Sequence, residues 1–152
     1  MKRREMFHAA MASMLWLVIG GARAADPARL DERGLVAAVG KKVVRRYKLD
    51  DGHGLIFRTD EQPAFKLEFR RSRVNVAWMT YPDAAYQALN AENIELARKA
   101  FTYALGYVAA EKIIRSVQAG ERLQFERDGY KVNAMAHAGG QALVTLSYSS
   151  IQ

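Results

Sequence analysis

Two histidines, His53 and His137, lie beyond the N-terminal region. Histidine is a residue type that often serves in acid–base or metal chemistry. Both lie beside glycines, in the sequences GHG and AHAGG. Neither belongs to a spacing motif typical of a metal site. We therefore predict no metal ligand, no cofactor and no catalytic residue at these positions.

Other patterns of catalytic residues are equally weak. No serine lies in the G-x-S-x-G pattern of a nucleophile elbow. Gly139-Gly140 follows a predicted strand without opening a helix, unlike a phosphate-binding loop. A binding protein is therefore favoured over an enzyme. The alternative is a periplasmic enzyme or small-ligand carrier with a pocket between helix and sheet.

Basic side chains are concentrated between Lys41 and Arg73, where ten Lys or Arg accompany five Asp or Glu. Arginine recognises phosphate and carboxylate groups through paired hydrogen bonds. The alternative is that these charges protect exposed strand edges from aggregation. The candidate residues for binding an anion or a partner are Arg45, Arg46, Arg70, Arg71 and Arg73.

A second candidate surface lies on a predicted long helix from Ala91 to Gln118. One apolar stripe, which includes Phe101 and Val108, should face the sheet. The remaining apolar residues predict either a second buried side or a surface for a partner, because tyrosine buries its ring while its hydroxyl tolerates water. We call them the tyrosine stripe, which consists of Leu96, Tyr103, Tyr107 and Ile114.

The elements that position these residues indicate an α+β fold. A short helix from Asp26 to Val39, capped by Asp26 and ended by Gly40, is followed by about four strands, the long helix and about three strands. Tight turn sequences such as Asp128-Gly129 predict antiparallel pairing. We expect the long helix to pack on a curved antiparallel sheet.

The first 24 residues have the pattern of a secretory signal peptide. A basic start is followed by an apolar run, and Ala22-Arg23-Ala24 forms an A-x-A cleavage site. The apolar run is shorter than the 20 or so residues of a membrane-spanning helix. The sequence therefore predicts a periplasmic or secreted protein made of one domain, residues 25–152.

Cleavage would change the charge of the chain as well as its length. The whole chain has 23 basic and 16 acidic side chains, a net charge of +7, and no cysteine. Removing Lys2, Arg3, Arg4 and Arg23 together with Glu5 leaves 19 basic and 15 acidic side chains, a net charge of +4.

Export argues against a nucleic-acid partner. We predict a non-enzymatic protein that binds an envelope protein, a second copy of itself, or an anionic component of the envelope. The anionic candidates are a lipid headgroup, lipopolysaccharide or an acidic glycan.

Overall fold

The computed structural model describes residues 30–57 and 65–148, so the predicted signal peptide and Asp26 lie outside the described residues. The α+β class and the antiparallel sheet that the sequence predicts are confirmed. Among the described residues, no helix combines the length and the apolar character needed to span a membrane. The elements in chain order are α1 Glu32–Val39, β1 Arg45–Leu49, β2 Gly52–Ile56, β3 Phe65–Arg70, β4 Arg73–Met79, a 3-10 turn Ala84–Tyr86, α2 Gln87–Leu105, α3 Tyr107–Gln118, β5 Leu123–Arg127, β6 Tyr130–Ala136 and β7 Gln141–Tyr148.

The seven strands found in the described part of the chain form one sheet. Their spatial order is β1-β2-β3-β4-β7-β6-β5, and every neighbouring pair is antiparallel. Asp128 and Gly129, between β5 and β6, have φ angles of 51° and 80°, as in a type I′ hairpin turn. Helices α2 and α3 connect β4, in the middle of the sheet, to β5 at its edge. After β6 the chain returns to the middle of the sheet, where β7 pairs with β4.

Alternating apolar residues bury one face of the sheet under the helices. Leu67 and Val76 lie side by side on β3 and β4, and both are fully buried. Leu35 of α1, Phe101 of α2 and Ile113 of α3 belong to the same hydrophobic core. All three described helices therefore pack on this face of the sheet.

The predicted single helix from Ala91 to Gln118 is wrong, because α2 and α3 are separated at Gly106. This residue has φ 83° and ψ 160°, a conformation that is strained for residues with a side chain. Arg98 of α2 pairs with Glu111 of α3 at 2.6 Å, whereas a continuous helix would hold them about 20 Å apart along its axis. The chain therefore bends sharply at Gly106, and Val108, predicted to face the sheet, is 72% exposed.

Helix α1 is shorter than the sequence predicts. Asp31, rather than Asp26, is its N-cap, and the Asp31 carboxylate accepts hydrogen bonds from the backbone N–H groups of Arg33 and Gly34 at 3.2 and 3.0 Å. Gly40 ends the helix in the left-handed conformation, with φ 69°, as expected of a C-terminal glycine.

Candidate functional site

The second face of the sheet, which we call the open face, carries the side chains that alternate with those of the core. No described helix packs on it. On each strand, core and open-face side chains alternate, and open-face residues of one strand pair directly with open-face residues of the next. Polar residues therefore form a row across the sheet. This central row consists of Tyr47, Gly54, Glu68, Asn75, Thr145, Asn133 and Gln124.

Glu68 is the centre of a hydrogen-bond network in this row. The Tyr47 hydroxyl and the Lys66 ammonium donate to Glu68 Oε1 at 3.0 and 3.3 Å. Asn75 Nδ2 donates to Glu68 Oε2 at 3.0 Å, and the Thr145 hydroxyl donates to Asn75 Oδ1 at 3.1 Å. The network joins side chains of β1, β3, β4 and β7 into one polar layer, and it passes over Gly54 of β2.

The network shifts the pKa of both Glu68 and Tyr47. Partial burial alone would raise the pKa of Glu68, but the hydrogen bonds from Asn75 and Tyr47 and the charge of Lys66 outweigh burial and hold that pKa below its ordinary value. Burial raises the pKa of Tyr47, and the hydrogen bond to the Glu68 carboxylate raises it further. Glu68 is therefore a stable anion and Tyr47 a neutral donor at neutral pH.

Gly54 explains how Tyr47 reaches Glu68 across an intervening strand. A Cβ atom at Gly54 would lie 2.0 Å from the Tyr47 ring. The ring therefore occupies the space beside Gly54 that the side chain of any other residue would fill.

A second row on the open face is basic. Arg70 and Arg73 are directly opposite each other on β3 and β4, and Ser147 and Lys131 continue the row on β7 and β6. Neighbouring strands are about 4.8 Å apart, so the row spans roughly 14 Å. We call Arg70, Arg73, Ser147 and Lys131 the basic row.

Acidic neighbours pair with only part of the basic row. Arg70 donates to Asp51 at 2.5 Å and lies 3.6 Å from Glu68. Among the described residues, Arg73 and Lys131 make no ion pair. The row continues to Glu126 of β5, which is directly opposite Lys131 without an ion pair between them. Arg73 is therefore the cation of the row that has no described carboxylate directly opposite it.

The five arginines named from the sequence do not form one patch. Arg70 and Arg73 are adjacent, and Arg45 lies on the open face but on the edge strand β1. Arg46 lies on the helix side, where it donates to Glu32 of α1 at 2.5 Å. Arg71 is exposed in the turn between β3 and β4.

The tyrosine stripe is not one exposed surface. Leu96 and Ile114 are core residues, with 3% and 1% exposure. Tyr103 is 48% exposed, and its ring covers Gly34 of α1, where a Cβ atom would lie 1.9 Å from the hydroxyl oxygen. Tyr107, at 64% exposure, lies beyond the break at Gly106. The stripe is therefore divided into two buried residues of the core and two tyrosines that are exposed on either side of the bend.

The two tyrosines share a wide groove of about 450 Å³ on the helix side. Charged residues form much of its wall, and Arg98 is already paired there with Glu95 at 2.5 Å and with Glu111 at 2.6 Å. Among the described residues, Lys99 is the one charged side chain lining this groove without an ion pair, so the groove has fewer unpaired charges than the open face.

A smaller cleft of about 340 Å³ lies between the helices and one end of the sheet. Trp78, Ala142 and Val117 are its buried lining residues, and the exposed ones are at its mouth. Its nine lining residues include no ionisable side chain: Trp78, Thr80, Ile94, Val117, Gln118, Ala136, Gly140, Gln141 and Ala142.

The two histidines do not meet in one site. His53 is on β2, where its Nε2 lies 2.6 Å from Glu32 Oε2 and its ring stacks on Phe69. His137 follows β6, four strand spacings or about 19 Å away across the sheet. Within the described ranges, no three His, Cys, Asp or Glu side chains could hold a metal ion together.

Sequence reasoning missed the central row. Tyr47, Glu68, Asn75 and Thr145 each occupy the polar phase of an alternating strand, which is the signal that could have marked them. Their meeting depends on the register between β4 and β7, which joins positions 70 residues apart. That pairing cannot be read from the local alternation of either strand.

Comparisons with protein-family models, with curated proteins and with solved structures found no significant match for this chain.

Proposed function

We propose that this chain is a non-enzymatic protein of the bacterial envelope that binds anionic lipid headgroups through the open face of its sheet. The observation that carries the proposal is the basic row. Arg73 and Lys131 flank Ser147 there, and neither pairs with a described carboxylate. Two cations with a hydroxyl between them suit a phosphate group, which accepts several hydrogen bonds at once.

The shape of the surface favours headgroups at a membrane surface. The basic row lies on a face that no described helix covers, so several neighbouring phosphates could be contacted together. Basic residues near an anionic leaflet contribute about 1 kcal/mol each to binding. The signal-peptide pattern of residues 1–24 supports the envelope location.

The test is the double variant Arg73→Gln, Lys131→Gln, measured by co-sedimentation with phosphatidylglycerol vesicles. We expect binding to weaken by roughly 10- to 30-fold, since two contacts of about 1 kcal/mol each are lost. The difference should shrink as salt rises above about 0.1 M, where charges are screened within about 10 Å.

The matched control is Arg33→Gln, Arg115→Gln, which removes two exposed charges from helices α1 and α3. We expect this variant to lose much less binding, because both positions are on the opposite side of the sheet. Equal losses in the two variants would mean that net charge, rather than the basic row, controls binding. Binding to an acidic glycan but not to vesicles would replace the lipid headgroup by a carbohydrate.

A further inference from the structure

We propose that the cleft between the helices and the end of the sheet is a binding site for a small, uncharged and mostly apolar molecule. It lies on the helix side of the sheet, opposite the basic row, and it does not depend on anion binding. Its volume of about 340 Å³ falls at the lower end of the range for small-molecule sites, about 300–1,000 Å³.

The cleft exists because β7 and β6 both carry alanine in the last row of the core face. Three rows cross β4, β7 and β6 on the core face. The first is Val74, Leu146 and Val132, and the second is Val76, Val144 and Ala134. The last row is Trp78, Ala142 and Ala136. Two alanines beside a tryptophan leave a space next to the indole ring, below Ile94 of α2 and Val117 of α3.

The rim of the cleft is held in place by hydrogen bonds. Thr80 N–H donates to the Gly140 carbonyl at 2.8 Å. A Cβ atom at Gly140 would lie 2.0 Å from the Thr80 carbonyl oxygen, so only glycine allows this close approach. Asn90 and Asn93 of α2 bind the backbone of Tyr81 and Met79 at 2.7–3.0 Å, which fixes the chain leaving β4 against α2. A site fixed in this way needs little ordering when a ligand binds.

The lining determines the chemistry of the ligand. Indole, isopropyl and methyl groups provide the walls, and the polar side chains are the hydroxyl of Thr80 and the amides of Gln118 and Gln141. A buried charge without a partner is costly, and the lining offers no ionisable group to pair with one. The cleft therefore suits a neutral molecule with an apolar body and one hydrogen-bonding group at the exposed end.

The probe for the test is N-phenyl-1-naphthylamine, a neutral aromatic amine whose emission rises in apolar surroundings. Trp16 and Trp78 are the two tryptophans of the chain, so the full chain carrying Trp16→Phe leaves Trp78 as the sole donor for energy transfer. We expect saturable binding, with emission of the amine on excitation of Trp78.

The test variants place a larger side chain inside the cleft, and the control variant places the same side chain just outside it. Ala136→Leu adds bulk at the exposed mouth and should weaken binding of the amine at least about tenfold, whereas Ala138→Leu, in the adjacent exposed turn, should not. Ala142→Leu fills the floor of the cleft and provides a second variant should the first refold poorly.

No saturable binding, no energy transfer from Trp78, or equal affinities for the amine in all the variants would overturn the proposal. Arg73→Gln, Lys131→Gln should keep full affinity for the amine, which separates this site from the open face.

Discussion

At the scale of single residues, Glu68 determines which cationic side chains of the open face are available to bind an anion. Its carboxylate accepts from Lys66 and lies beside Arg70, which also pairs with Asp51. Two of the basic side chains on this face are therefore partly neutralised. Arg73 and Lys131 make no ion pair with a described carboxylate, although Glu126 on β5 is directly opposite Lys131. We therefore assign Arg73 and Lys131 the leading role in anion binding.

The position of Glu68 makes stability depend on pH. Because the pKa of the folded-state carboxyl lies below its ordinary value of 4.5, the ionised form stabilises the fold above pH 4.5. That contribution is lost as the pH falls through the folded-state pKa. We expect Glu68→Gln to lower the free energy of unfolding at pH 7 by roughly 1–3 kcal/mol, since hydrogen bonds to a charged acceptor are lost.

The measurement is urea unfolding of the parent and of Glu68→Gln between pH 7 and pH 3. The variant should lose less stability than the parent below pH 4.5, because it has no carboxyl to protonate at this position. Glu126→Gln, an exposed change on the same face, should alter stability by less than about 0.5 kcal/mol. Parallel pH curves for the parent and Glu68→Gln would contradict the prediction.

At the scale of elements, the break between α2 and α3 matters most. A single continuous helix would align Tyr103 and Tyr107 one turn apart on the same face. The bend instead exposes Tyr107 and Val108 while α3 buries Ile113 and Ile114. The bend also places Val117 of α3 and Ile94 of α2 around the same cleft. One glycine thus divides the stripe and completes the proposed ligand site.

The substitution Gly106→Ala distinguishes a break from a continuous helix by the sign of its effect. In a continuous helix, alanine would be favoured over glycine by about 1 kcal/mol. At φ 83° and ψ 160°, a side chain is strained, and we expect destabilisation by about 1–3 kcal/mol. Urea unfolding measures the change.

Gly120→Ala is the control for Gly106→Ala. Gly120 also has a positive φ, 70°, and nothing lies within 4 Å of an added Cβ atom. Gly120→Ala should therefore lower the free energy of unfolding by about 1–2 kcal/mol through backbone strain alone. A gain in stability for Gly106→Ala would mean that α2 and α3 form one helix in solution.

At the scale of the whole molecule, the sheet separates two surfaces with different chemistry. Its open face carries the polar central row and the basic row, whereas its covered face carries the core and ends in an uncharged cleft. Period-two alternation made the strands predictable, because Phe65, Leu67 and Phe69 alternate with charged residues. The hairpin turns were also predictable from local sequence, because Asp-Gly is a typical dipeptide of a tight turn.

The features that sequence reasoning missed depend on contacts between distant segments. The break at Gly106 follows from packing, since a glycine within an apolar run is also compatible with an uninterrupted helix. The pairing of β4 with β7 determines which polar side chains share the central row. The cleft requires Trp78, Ala142 and Ala136 in register, which no local pattern specifies.

The prediction that concerns the whole chain is cleavage after Ala24. A small residue is required at this position by the A-x-A pattern, so Ala24→Leu should block processing and leave the full 152-residue chain in the membrane fraction. The parent should yield a soluble periplasmic form that begins at Ala25. Ala9→Leu makes the same chemical change inside the apolar run and should be processed normally. Intact mass and fractionation of the three proteins measure the result. Retention of residues 1–24 in the parent, or normal processing of Ala24→Leu, would contradict the prediction, and the envelope location proposed for the basic row would then lose its support.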